Sequence, residues 1–135
     1  MPQARAGHEW NSLALHRANE RFFTRVGKGV ELSIVGKNPH TGTTALFQRI
    51  SRGQGELPEE RTHSHPVPCQ TLVLSGEVEI NFGSESQTLR AGDYIRVPAD
   101  TPHSQSLVSD DAELFVVTEG NPGIDFAVPE RWSTK

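Results

Sequence analysis

Two of the chain's six histidines, His63 and His65, stand two apart in the run His63-Ser64-His65-Pro66-Val67-Pro68-Cys69-Gln70. Alternate side chains of an extended strand point to the same face, so both imidazoles look the same way and make half of a metal site. A third imidazole is offered by His103, at the end of Gly92-Asp93-Tyr94-Ile95-Arg96-Val97-Pro98-Ala99-Asp100-Thr101-Pro102-His103. Neutral imidazole suits zinc, iron, nickel and copper, whereas magnesium and calcium prefer oxygen donors; the trio therefore points to a divalent transition metal. Three protein ligands leave positions open for a small-molecule substrate, water or dioxygen.

Cys69 is the only cysteine, which rules out an intrachain disulfide and leaves it as a buried hydrophobe, a ligand or a reactive group. As a thiolate ligand it would complete a tetrahedron of three nitrogens and one sulfur, an arrangement that favours zinc. Gln70 is a substitute ligand by position, but strand alternation sets it on the face opposite Cys69, Thr71 and Val73. Tyr94 and Arg96 share one face of their strand, and Gln105 shares a face with His103. Each is a candidate for orienting a ligand or binding an anionic substrate, against the plainer reading as a hydrogen-bonded surface residue. His8, His16 and His40 have no partners at ligand spacing and read as surface or packing residues.

The elements that must position these side chains are short strands broken by turn residues. Val30–Val35, Thr43–Ile50, Thr71–Ser75, Glu77–Phe82, Gln87–Arg90, Tyr94–Val97, His103–Val108 and Ala112–Thr118 read as strands. Val78, Ile80 and Phe82 alternate with Glu77, Glu79 and Asn81, which marks one buried and one wet face. About nine strands with turns every eight to twelve residues predict an all-β double-sheet jelly roll. Ahead of them, residues 1–28 form an extension in which Asn11 or Ser12 could cap a short helix through Leu13, Leu15, Ala18 and Phe22. Residues 29–120 form the barrel, and 121–135 a tail tied down by Ile124, Phe126 and Trp132.

The spacing of the two histidine segments resembles the cupin family. The first cupin motif is matched by His63, His65, three residues, Cys69 in the place of the usual glutamate, six residues and Gly76. The second is matched by Gly92, five residues, Pro98, one residue, Asp100 in the place of glycine, two residues, His103, and then Leu107 in the place of asparagine. The resemblance implies a double-stranded β-helix barrel with His63, His65 and His103 as metal ligands. Without the glutamate the site is similar to the three-histidine iron cupins, such as acetylacetone dioxygenase and the thiol dioxygenases. The runs Asn38-Pro39-His40-Thr41-Gly42-Thr43-Thr44-Ala45-Leu46 and Ala91-Gly92-Asp93-Tyr94-Ile95-Arg96 also look like the cupin domain of ChrR-like anti-sigma proteins. Those regulators hold their sigma factor through a zinc-binding segment ahead of the cupin, and no cysteine precedes residue 63 here.

A net charge of −4 gives no basic face for a phosphate backbone, which argues against nucleic acid as partner. The first ten residues hold no apolar run of the secretory kind and no segment is apolar enough to span a bilayer, so a cytoplasmic protein is expected. The sequence thus predicts a metal-binding jelly roll, expected to be a homodimer. Its first reading is an iron(II)-dependent dioxygenase acting on a small anionic or dicarbonyl-like substrate. The competing reading is a non-catalytic sensor or binding module with zinc on the three histidines and Cys69. A metal-free isomerase of the same fold would need a histidine as general base, against which the ligand spacing argues.

Overall fold

The computed structural model describes residues 13–27, 29–52 and 62–122. His8, the capping residues Asn11 and Ser12, most of the loop ahead of the histidine pair, and the tail residues Ile124, Phe126 and Trp132 lie outside them. The nine strands are β1 (Thr24–Gly27), β2 (Val30–Lys37), β3 (Thr44–Ser51), β4 (Cys69–Ser75), β5 (Glu77–Phe82), β6 (Glu85–Arg90), β7 (Tyr94–Val97), β8 (Ser104–Leu107) and β9 (Asp111–Thr118). Six form an antiparallel sheet in the order β1-β2-β3-β9-β4-β7, and three form a second sheet in the order β6-β5-β8. This is the jelly roll that the alternating strands predict.

The core lies between the sheets. Every second residue of β3 (Thr44, Leu46, Gln48, Ile50) is buried and pairs across to Thr118, Val116, Leu114 and Ala112 of β9. Val73, Val78, Ile80, Leu89, Leu107 and Leu114 close the main cluster with Ile50 and Ala112. Removing this apolar surface from water is the dominant stabilising contribution, at roughly 25 cal/mol per Å².

The first strand precedes the boundary expected at residue 29, and the extension is not helical where it is described. Only Ala18–Glu20 forms a single 3₁₀ turn. The following residues are drawn onto the outer face of the large sheet instead. The Arg21 guanidinium lies 3.6 Å from the centre of the Phe47 ring and pairs with Glu113 at 2.7 Å, while Arg49 stacks on Phe23 at 3.8 Å. Cation–π contacts of this kind contribute about 0.5–2 kcal/mol each. They outweigh the weak helical pattern of Leu13 to Phe22. The β5–β6 hairpin is also tighter than the sequence suggests: Phe82 pairs with Glu85, so Gly83 and Ser84 alone make the turn.

Two turns hold the histidine segments in place. Gly76, between β4 and β5, has φ +81°, and a Cβ there would run into the carbonyl oxygen of Asp111 and lie 2.7 Å from the Cα of Ala112. Only glycine fits. Asp100 carries φ +57° and donates its backbone N–H to the carbonyl of His65 at 2.7 Å. The left-handed conformation explains why glycine suits this position and why aspartate, which tolerates that region better than most residues, can replace it.

The two turns predict opposite responses in thermal or denaturant unfolding. Gly76→Ala should destabilise by about 1–3 kcal/mol. Asp100→Gly should leave stability unchanged or raise it by up to about 1 kcal/mol. Equal losses in both would contradict this account of the turns.

Candidate metal centre

His63 and His103 belong to separated segments that meet as an isolated antiparallel bridge. Each donates its backbone N–H to the other's carbonyl at 2.9 Å. His65 is fixed from the side by the Asp100 N–H. The ring centroids then lie 4.6 Å apart for His63 and His103, 4.8 Å for His63 and His65, and 5.7 Å for His65 and His103. One ring nitrogen from each lies within 4.8 Å of the other two, a spacing at which all three can reach a single ion.

One of the rings is oriented by a main-chain carbonyl. His103 Nδ1 lies 2.8 Å from the Thr101 carbonyl. A carbonyl only accepts, so Nδ1 carries the proton and Nε2 is left with the lone pair a metal requires. For His65 the nearby backbone of Pro122 acts in the same sense, weakly favouring a protonated ring nitrogen. Burial, with the neighbouring His63 and His103, pushes the His65 pKa down from 6.5 to about 4. His103 is also lowered, chiefly by burial and further by His63, with the Thr101 hydrogen bond opposing. Near neutral pH both rings are therefore neutral, the form that binds metal.

A cavity of about 80 Å³ opens on the trio. That is well below the roughly 300–1,000 Å³ of sites for drug-sized ligands. Its walls are apolar at Leu46, Ile80, Ile95, Val97 and Val116, and among the described residues no Lys, Arg, Asp or Glu lines it. Cys69 and Thr71 of β4 and Thr118 of β9 complete the rim beside Pro122. The Cys69 sulfur is not among the clustered ligand atoms. It lies 3.9 Å from the Val67 carbonyl, and burial, helped by Glu119, raises the thiol to about 11. Cys69 is thus a neutral thiol on the wall.

The other candidates divide by strand face. Gln105 lines the cavity with His103, as their shared parity requires. Tyr94 and Arg96 share a face, but it is the outer one: the register sets Ile95 against Thr71 and Val97 against Cys69 on the inside. Arg96 grips Glu119 with two hydrogen bonds of 2.6 and 2.8 Å, and the Tyr94 hydroxyl donates to Gln70 at 2.9 Å. Gln70 in turn donates to Glu119. None of these four lines the cavity; Tyr94 and Arg96, expected to help position a substrate, lie on the outer face of the large sheet. Gln48 is the lining residue that sequence reasoning passed over. The available signal was a glutamine between Leu46 and Ile50 on the buried face of a strand, where a polar group needs a reason.

Removing one titrating ring should change the acid response in a definite direction. The unfolded chain takes up a proton on His65 near pH 6.5, whereas the folded protein resists until about 4. Folding stability of metal-free protein should therefore decline as pH falls through that window. His65→Gln should decline less steeply over the same window in denaturant melts. Parallel curves for the two proteins would count against a buried, neutral His65.

Residues 46–118 match the Cupin_2 family, the cupin domain. Quercetin 2,3-dioxygenase of Bacillus subtilis is 30% identical over 90 residues, which is 66% of this chain but 26% of that enzyme, so the chain spans about a quarter of its length. Among solved structures, an RmlC-like cupin from Shewanella frigidimarina superposes with a TM-score of 0.70 at 20% identity, over 87% of this chain and 97% of that one. KdgF from a Halomonas species gives 0.66 at 21% identity, over 87% and 98%. The matched span takes in β3 to β9, all three clustered histidines and both turns that hold them, and the chain belongs to the cupin domain family.

Proposed function

We propose that this protein is a mononuclear metal cupin whose ion sits on His63, His65 and His103, and that it works with ferrous iron as a dioxygenase of a small oxygen-bearing substrate. The observation that carries this reading is the convergence of three imidazole nitrogens at one point of a small, largely apolar cavity. The likeness to quercetin 2,3-dioxygenase supports the reaction class. It does not support the same substrate, because a flavonol is far larger than a cavity of about 80 Å³.

When bound, ferrous iron would supply a Lewis acid with adjacent open positions for a chelating substrate and dioxygen. The protein's own part is to hold three neutral donors in fixed directions. The Thr101 carbonyl keeps the His103 ring proton on the far side from the shared point. The apolar walls from Leu46, Ile80, Ile95, Val97 and Val116 restrict water and strengthen electrostatic contacts made at the centre. No carboxylate lines the cavity among the described residues, so on three neutral ligands a dipositive ion would keep its full charge and favour an anionic, bidentate oxygen ligand.

The zinc-sensor reading requires the Cys69 sulfur to close the coordination sphere. Its separation from the clustered nitrogens favours the open centre. Zinc, nickel and copper remain chemically compatible with three imidazoles, and metal analysis decides among them.

Purified protein should bind one divalent ion per chain, and His63→Ala, His65→Ala or His103→Ala should each weaken it by about 100-fold or more. Cys69→Ser should leave metal content unchanged. With iron loaded, oxygen uptake on acetylacetone as probe should exceed that of the metal-stripped protein and vanish in His103→Ala. Equal uptake with and without iron would overturn the dioxygenase reading, and lost metal in Cys69→Ser would favour the closed zinc site.

A further inference from the structure

Gln48 and Gln105 are the two primary amides among the described residues that line the cavity, and they reach it from opposite sheets. Gln48 comes from β3 of the large sheet and Gln105 from β8 of the small one. Gln48 is only 7% exposed, yet its amide has no hydrogen-bond partner among the described residues, and the same holds for Gln105. Both amides open on the cavity and keep access to it, so neither is sealed away from water. Leu46 and Ile50, the neighbouring inward positions of β3, are aliphatic, which makes a glutamine between them stand out. An amide that faces a cavity with no protein partner is available to a ligand.

The chemistry of the wall limits that ligand. With no charged side chain lining the cavity among the described residues, a second anionic group beyond the one facing the metal would find no compensating charge there, which disfavours dicarboxylates and phosphates. An amide offers N–H to a carbonyl or hydroxyl oxygen and its own oxygen to a hydroxyl hydrogen. Hydroxyl, which both donates and accepts, is the group that satisfies it most fully. The small volume limits the molecule to a few carbons.

We propose that Gln48 and Gln105 form an amide clamp that selects a small hydroxycarbonyl ligand, at most singly charged, by binding a hydroxyl group away from the metal-chelating end. This rests on the three-histidine metal reading above, and it adds a specificity determinant that acts on ligand binding. The clamp also accounts for how a cavity without arginine or lysine can discriminate among small oxygenated molecules. A site built to hydrogen-bond a hydroxyl rejects the analogue lacking it, because its own polar groups are then left unpaired.

Glycerate and lactate differ by one hydroxyl outside the chelating α-hydroxycarboxylate, and both can be titrated into cobalt(II)-loaded protein while the visible spectrum reports binding. Wild type should bind glycerate at least about fivefold tighter than lactate, the equivalent of one net hydrogen bond. Gln48→Leu and Gln105→Leu should each shrink that preference to about twofold or less, by weakening glycerate and leaving lactate bound as tightly as in wild type or more so, with cobalt content retained; Gln48→Asn, which keeps an amide, guards against a general packing defect and should retain part of the preference. Loaded protein with no preference, or with a preference unaltered in both leucine variants, overturns the clamp alone. Failure of wild type to load cobalt overturns the metal centre and the clamp with it.

Discussion

The pair of main-chain hydrogen bonds between His63 and His103 is the constraint on which the site depends. It joins two chain segments forty residues apart in sequence and leaves both rings directed to one side. Neither segment is held at that point by a regular strand. The turn at Asp100 adds a third tie by binding the His65 carbonyl, so the His-x-His pair is fixed at both ends. A three-point centre within 4.8 Å follows from these backbone contacts, with the Thr101 carbonyl setting the His103 ring orientation. The histidine cluster is in this sense a property of backbone pairing between the two segments.

The cavity around it is sorted by strand face. Inward positions of β3, β4, β7 and β9 contribute aliphatic side chains, Thr71, Cys69 and Gln48, whereas the charged and aromatic groups of the same strands lie outside. Arg96, Glu119, Gln70 and Tyr94 satisfy one another on the outer face of the large sheet. Arg21 and Arg49 are spent on Phe47 and Phe23. Among the described residues the cavity lining is free of carboxylates, lysine and arginine, so a bound dipositive ion would be the dominant charge beside them.

The histidine trio was legible in the sequence because the period of a strand is two and the spacing of both segments is specific. The sandwich was legible for the same reason, in β5 above all. Parity alone, however, states which residues share a face and not which face is inside. Tyr94 and Arg96 were grouped correctly, but Ile95 and Val97 hold the inner positions because the pairing with β4 sets them against Thr71 and Cys69. Gln48 was hidden for a related reason: its meaning depends on β3 lying beside β9, a pairing between residues more than sixty apart. Strand β1 escaped notice because four residues carry too short a pattern, and its place is decided by tertiary pairing with β2.

The most direct test of the central claim is X-ray absorption at the metal edge of protein loaded with a single divalent ion. Three imidazole nitrogens and light oxygen scatterers from solvent, with no sulfur, is the expected first shell. A sulfur scatterer at about 2.3 Å, or a fit with fewer than three imidazoles, would contradict it.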